Sequence, residues 1–454
     1  MPGNLTLDEL KAAVAAGEID TVIAAIIDMQ GRLMGKRFHA QFFLDHKVVE
    51  THGCVYLMST DLEMNTVPGY AASSWATGYG DYVHKMDFST LRRIPWQEKT
   101  ALVICDVLDH HTYEDVAISP RAVLKKQIAR AADMGLTPMM ATELEFFLFR
   151  DSYEDLWDRG YRDLVPYTRY NIDYSIFGTS KDEAVMRAIR NGLYEAGIPV
   201  ECSKGEADAG QEEVNILYSD ALDTADNHVI VKNAVKEICQ QQGCSATFMA
   251  KYRHGKAGSS SHVHQSLFRD GKNVFHDPEA EHGMSQMMRS YVAGLLEHAR
   301  ETTIFLAPYA NSYKRFCVGL FAPTKAVWST DNRTAAFRVC GAGTKAVRVE
   351  NRIGGADLNP YLAQATQLAA GLDGIERGLE LEPEVAGDTY EAGDVREVPK
   401  SLREAADLLD GSEFLRKALG DEVVDHYVRN ARWEVEQYEF HVSDWEVQHG
   451  FERA

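Results

Sequence analysis

The chain has no apolar run that approaches the roughly 20 residues needed to cross a bilayer, which argues against a membrane-spanning role. Met1 to Ile19 shows neither the basic start nor the apolar core of a secretory signal. Positive charge is also in short supply. Lys and Arg number 47 against 68 Asp and Glu, a net charge of −21. That balance disfavours non-specific binding to nucleic acid or to an anionic membrane surface. The seven cysteines, Cys54, Cys105, Cys202, Cys239, Cys244, Cys317 and Cys340, are odd in number and show no Cys/His spacing of a structural zinc site. They read as reduced thiols of a cytoplasmic protein. No internal repeat and no low-complexity linker is visible, so the parts of the chain are expected to pack closely.

What remains is an ordinary globular composition long enough for more than one core. Thr6 to Ala16 reads as an amphipathic helix closed by Gly17. Val22 to Asp28 and Arg32 to Phe38 flank Met29-Gln30-Gly31, the pattern of a hairpin. Cys54 to Met58 and Ala101 to Val107 are strand-like, and Val67 to Asp81 between them is a long loop of the kind that is more often functional than filler. Residues 1–112 thus read as a small β-rich domain, and residues 113–454 as a larger α+β domain. The latter opens on Ser119-Pro120, an N-cap followed by proline at the first helical position. Helices are expected over Lys181–Ala196, Ala221–Gln242, Asn359–Gly378 and from Ser401 onward. Strands are expected at Pro199–Cys202, Ala246–Lys251, His262–Phe268, Ala335–Val339 and Ala346–Arg352.

Inside that pattern, Ala141 to Phe149 reads as a buried strand that carries Glu143 and Glu145 two residues apart. Alternate side chains of a strand share a face, so the two carboxylates point the same way. Like charges on a buried face repel and are costly to desolvate unless a cation compensates them. A strand end that lets both reach solvent is the blander reading. Four more clusters bear on the choice. Glu206 and Glu213 bracket a Gly-containing turn; His262, His264 and Ser266 share a strand face; Asn311-Ser312-Tyr313-Lys314-Arg315 precedes Arg333 and Arg338; and Arg348, Glu350 and Arg352 alternate. Singly these could be a solvated loop, a hydrogen-bonded His pair or a surface ion-pair ladder. Together, five Glu and a His suit two hard divalent ions, and the arginines suit phosphate and carboxylate. Metal-assisted phosphoryl transfer needs both.

The order of these motifs, ending in Asn359-Pro360-Tyr361-Leu362, resembles the glutamine synthetase superfamily over essentially the whole chain. The resemblance implies an N-terminal β-grasp domain and a catalytic domain with a curved antiparallel sheet and flanking helices. It also implies active sites formed between subunits of a homo-dodecamer of two hexameric rings. ATP would be the co-substrate, with two or more Mg²⁺ or Mn²⁺. Glu145, Glu206 and Glu213 would bind one ion, and Glu143, His262 and Glu350 the second. Arg333 and Arg338 would act on the transferring phosphoryl group, and Glu201, His264, Ser266, Lys345 and Arg348 would complete the ATP site. Arg315, Arg352, Gly258 and Tyr170 would hold L-glutamate. Tyr390 lies near a modification site of some relatives.

The amine side departs from the ammonia-using members. Their Asp-Gly-Ser-Ser corresponds to Ser59-Thr60-Asp61 here, which puts Ser59 at the Asp position and leaves Asp61 as the candidate proton acceptor. Their flap glutamate falls on Phe321, and the Asn-Gly before the metal histidine is Ala257-Gly258. An amine pocket of Ser59 and Phe321 favours an organic primary amine over ammonium. The text around Asn65 to Tyr70, Arg92 to Trp96 and Asp444 to Arg453 is similar to the γ-glutamyl–amine ligase branch, which acts on ethanolamine, polyamines and other alkylamines. Ethanolamine is the expected amine. Polyamine or alkylamide synthesis, ammonia-dependent glutamine synthesis and a catalytically silent paralogue remain as alternatives.

Overall fold

Hairpin strands Thr21–Ile27 and Leu33–His39 pair antiparallel over their full length. The first is a β-branched, apolar run buried almost throughout. It also pairs in parallel with Thr100–Asp109, which carries Asp81–Arg93 and then Glu50–Cys54 on its far side. This five-stranded sheet, seen in a computed structural model that describes residues 3–454, accounts for the N-terminal part. The helix Leu7–Ala15 begins on a Thr6–Glu9 capping box, which satisfies two otherwise orphaned N–H groups.

A ten-stranded sheet follows, with Thr137–Phe149 and Ser261–Arg269 at its centre. Its named pairs are antiparallel except for Trp328–Thr330 beside Phe337–Cys340. On one face, Thr142, Leu144 and Phe146 are buried, and the helix Ala221–Gln241 covers them. Thr142 Oγ1 lies 2.9 Å from His228 Nδ1 on that helix, so even the polar atom of this face is satisfied. With one face closed by a helix, the odd-numbered residues of Thr137–Phe149 are left for chemistry. The whole is an α+β fold, and among the described residues no helix is long and apolar enough to cross a membrane.

The two sheets meet through polar links. Gly31 turns the hairpin at φ +78, where a Cβ would come within 3.1 Å of Asn359 Cα. Asn359 Nδ2 donates to the Met29 carbonyl at 3.0 Å and caps the buried helix Pro360–Arg377 through Tyr361 N. Deeper in, the guanidinium of Arg121, 2% exposed, donates to Asp226 at 3.0 Å, Asp87 at 2.7 Å and Asp106 at 2.5 Å. These carboxylates come from both parts of the chain. Taking one partner out of such a buried network costs about 3–5 kcal/mol.

Some elements differ from the sequence reading. Cys54 to Met58 is mostly a 3₁₀ turn, Val55–Met58, because the strand precedes it at Glu50–Cys54. Of Ala246 to Lys251, only Ser245–Thr247 forms a strand, which pairs with Phe147–Phe149. The 13-residue strand Asp81–Arg93 and the helices Gln286–Glu297 and Ala299–Leu306 were not expected.

Candidate active site

Sheet register assembles the site. Glu143 stands opposite His262 on one neighbouring strand and Asn215 on the other. Two residues along, Glu145 stands opposite Glu213. On the outer strands, His264 pairs with Glu350, and Glu350 with Arg338. Because a strand shows alternate residues to one face, these rows converge on the face that no helix covers.

Two acidic groups result. Glu145, Glu206 and Glu213 bring ligand atoms within 4.8 Å of one another, as do Glu143, His264 and Glu350. The first group matches the expected set. The second takes His264 where His262 was expected, yet both imidazoles adjoin it. His264 Nε2 lies 2.9 Å from Glu143 Oε1, and His262 Nδ1 lies 2.9 Å from Glu143 Oε2 and 3.3 Å from Glu350.

Electrostatics separate the groups. Burial, followed by the charge of Glu206, pushes Glu145 up to about 7. Burial and the repulsion of Glu143, Glu145 and Glu206 push Glu213 up to about 9. Against the same burial penalty, Arg352 and the two histidines bring Glu350 down to about 2. Bonds from His262 and His264 outweigh burial at Glu143 and hold it well below the carboxylate range. Burial and then Arg352 lower His262, which favours the neutral imidazole that can ligate a metal. Its Nε2 is buried with no hydrogen-bond partner. Mutually repelling oxygens plus an orphaned imidazole nitrogen fit hard divalent cations.

Cationic groups border the second cluster. Arg338 Nη1 donates to Glu350 at 3.2 Å and its Nη2 pairs with Asp331. Arg352 Nη1 donates to Glu350 Oε1 at 2.5 Å and its Nε to the Arg333 carbonyl at 3.1 Å. Arg348 Nε donates to His264 Nδ1 at 3.1 Å. Arg315 is buried at 2% exposure, and burial draws it down to about 10. Gly258 lies against it: a Cβ there would sit 2.6 Å from Arg315 Cγ, so no larger residue fits unchanged.

The remaining residues are less tightly gathered. Ser266 Oγ faces the Met139 carbonyl at 3.5 Å, Glu201 is exposed on the strand Val200–Gly205, and Lys345 is exposed in the loop before Arg348–Asn351. Tyr170 is half-exposed and accepts from Lys181 Nζ at 2.7 Å. Phe321 is 56% exposed at φ +56, next to Ala322, whose carbonyl accepts from the Tyr390 hydroxyl at 3.1 Å.

Ser59 and Asp61 make their contacts away from the sheet. Ser59 is buried and its hydroxyl has no partner. Asp61 accepts from Glu63 N at 3.0 Å, Asn65 N at 2.9 Å, Asn65 Nδ2 at 3.2 Å and Trp433 Nε1 at 3.1 Å. Four donors fill the lone-pair sites of a carboxylate, which runs against the expectation of Asp61 as proton acceptor. Sequence reasoning missed Gln211, whose amide donates to Glu145 at 3.1 Å and to the Gly258 carbonyl at 3.0 Å. Its only signal was its place on the strand that bears Glu213.

The profile of the glutamine synthetase catalytic domain matches residues 117–449. A γ-glutamylethanolamide synthetase, GlnA4, of Streptomyces coelicolor is 49% identical over 99% of this chain and 96% of its own. A glutamate–isopropylamine ligase of a Pseudomonas species is 37% identical over 94% of each chain. The solved structure of GmaS without ligand superposes with a TM-score of 0.85 at 26% identity, covering 98% of this chain and 99% of that one.

Proposed function

As the chain belongs to the glutamine synthetase family, we propose that it is an ATP-dependent ligase joining the γ-carboxylate of L-glutamate to ethanolamine, giving γ-glutamylethanolamide. The observation that carries the ligase reading is the pair of acidic groups beside Arg338 and Arg352 on one open sheet face. The choice of amine is supported by the name of the Streptomyces relative and by Ser59 and Phe321 at positions where ammonia-using members carry carboxylates. The isopropylamine ligase favours a small alkylamine as the second reading.

The chemistry follows from the substrates. A carboxylate is a poor acyl donor, so a γ-carboxylate oxygen attacks the γ-phosphorus of ATP, the bond to the β-phosphate oxygen breaks and ADP leaves. The amine nitrogen then attacks the acyl carbon of γ-glutamyl phosphate, loses a proton, and inorganic phosphate departs. Glu145, Glu206 and Glu213 would hold one Mg²⁺ or Mn²⁺, and Glu143, Glu350 and His262 or His264 another. The ions neutralise charge on the phosphates when bound. Arg333 and Arg338 stabilise the moving phosphoryl group, and Glu201, His264, Ser266, Lys345 and Arg348 seat the nucleotide. Arg315, Arg352, Gly258 and Tyr170 hold glutamate in line.

We assign Asp61 to holding the Ser59–Asn65 loop, since its carboxylate is already filled by four donors. The chain divides into units 1–112 and 113–454, works in the cytoplasm, and assembles as two hexameric rings in which Ser59 reaches the neighbouring subunit's Phe321 side of the pocket. The test is phosphate release with glutamate, ATP and Mg²⁺ across ethanolamine, isopropylamine, polyamines and ammonia. Ethanolamine should give the highest kcat/KM; ammonia outperforming every organic amine would sink the reading.

A further inference from the structure

We infer that Ser260 is a positioning residue whose hydroxyl locks the Arg315 guanidinium to the Glu145 strand and so sets the affinity for glutamate; this rests on the ligase reading above. Ser260 is 8% exposed between Ser259 and Ser261, both fully buried. Its backbone is tied to Glu145 in both directions. Ser260 N donates to Glu145 Oε2 at 2.7 Å, and Glu145 N donates to the Ser260 carbonyl at 3.0 Å. Its hydroxyl faces the other way and accepts from Arg315 Nη2 at 2.9 Å and Nε at 3.3 Å. One residue thereby fixes a carboxylate of the first acidic group relative to an arginine of the glutamate clamp.

The arginine has little freedom otherwise. Nη1 donates to the Ile353 carbonyl at 2.8 Å and Nη2 to the Arg352 carbonyl at 2.9 Å. A guanidinium has five N–H groups, so these four bonds leave a single Nη1 hydrogen for a ligand. Its direction depends on the other four. The two carbonyls hold one end of the fork, and only the Ser260 hydroxyl holds the Nε edge. A planar fork pinned at both edges loses little entropy when a carboxylate arrives. Without the hydroxyl, Nε–H and one Nη2–H face a buried void, and the guanidinium turns to recover acceptors.

The backbone bonds to Glu145 do not involve the Ser260 side chain, so Ser260→Ala separates the two functions. Calorimetric titration of the intact protein with glutamate should show about tenfold weaker binding for Ser260→Ala, the scale of a lost hydrogen bond to a charged group. The KM for glutamate should rise in parallel, with kcat and the KM for ATP within about twofold. Mn²⁺ binding, titrated in the absence of substrates, should be unchanged within the same factor. Ser260→Cys, close in size but a weaker acceptor, should fall between the two and carries the test should alanine leave the chain unfolded. Unchanged glutamate binding in these variants, or equal loss of glutamate and Mn²⁺ binding, overturns the proposal. A wild-type protein that binds Mn²⁺ and ATP but no glutamate overturns the ligase reading, and the proposal with it.

Discussion

Glu145 and Glu213 stand directly opposite each other on adjacent antiparallel strands, and each is raised, to about 7 and about 9, by burial and by neighbouring carboxylates. In isolation that arrangement is a liability to the fold, because two buried like charges have no compensation. A divalent ion between them converts repulsion into attraction. We therefore expect Mg²⁺ or Mn²⁺ to raise the melting temperature at neutral pH. The gain should be about 2.7 kcal/mol at about 100-fold excess over Kd. Glu213→Ala should abolish most of the ion-induced shift while melting in the metal-free state no lower than wild type. Differential scanning calorimetry with and without chelator measures both; an ion-induced shift that survives in Glu213→Ala would count against this group as a metal site.

Phe321 is exposed and left-handed at φ +56, a conformation that carries strain for an aromatic residue. Such a ring on the loop beside the arginine clamp offers apolar surface to the carbon chain of an amine and no charge to an ammonium ion. Phe321→Glu should lower kcat/KM for ethanolamine by about tenfold or more, the size of an apolar contact replaced by a buried charge, and admit ammonia. Product analysis for γ-glutamylethanolamide and glutamine in competition decides it. An unchanged amine preference would remove Phe321 from the pocket.

The acidic strand was legible in the sequence because strand periodicity is local: Glu143 and Glu145, His262 and His264, Glu350 and Arg352 had to share faces. Which pairs meet was not legible, since register is set by pairing between distant segments. That is why the second metal group took His264 in place of His262. The strand Asp81–Arg93 hid behind its charges. Asp87 and Arg92 look like surface residues in sequence, but Asp87 accepts from Arg121 and Arg92 donates to Asn227, about 34 and 135 positions away. Ser260 was lost in a run of serines, and only the bond to Arg315 distinguishes it.

Asp61 is joined to Trp433 of the C-terminal helix Asp421–Phe440, so the amine-side loop and the end of the chain are mechanically linked. Arg429 Nε donates to the Pro68 carbonyl at 2.8 Å on the same helix, a second fastening of that loop. Trp433→Phe removes one of four donors to Asp61 and should cost about 1.5–3 kcal/mol at most, as for a bond to a charged acceptor. Its main effect should be a raised KM for the amine with kcat nearly unchanged. Asp61→Asn should behave likewise. A fall in kcat of about 100-fold or more for Asp61→Asn, with amine KM unaltered, would restore Asp61 as the proton acceptor.

His426, on that same helix, stacks 4.4 Å from Tyr70, and its Nε2 lies 3.3 Å from Met29 Sδ in the hairpin turn. Burial lowers it to about 4, against an opposing bond at Met58. A histidine with a depressed folded value contributes stability that is fully present above its unfolded value, near 6.5, and is lost as pH falls toward 4. Across that window the loss should approach about 3 kcal/mol, from 1.36 kcal/mol per pKa unit. Denaturant unfolding at pH 7 and pH 4.5 should therefore show a steeper drop for wild type than for His426→Asn, which has no proton to gain. His426→Asn should start lower at pH 7, through lost packing on Tyr70, and converge on wild type in acid. Parallel pH profiles for the two proteins would show that His426 does not titrate in this range, and that the acid sensitivity of the hairpin–helix junction lies in another group.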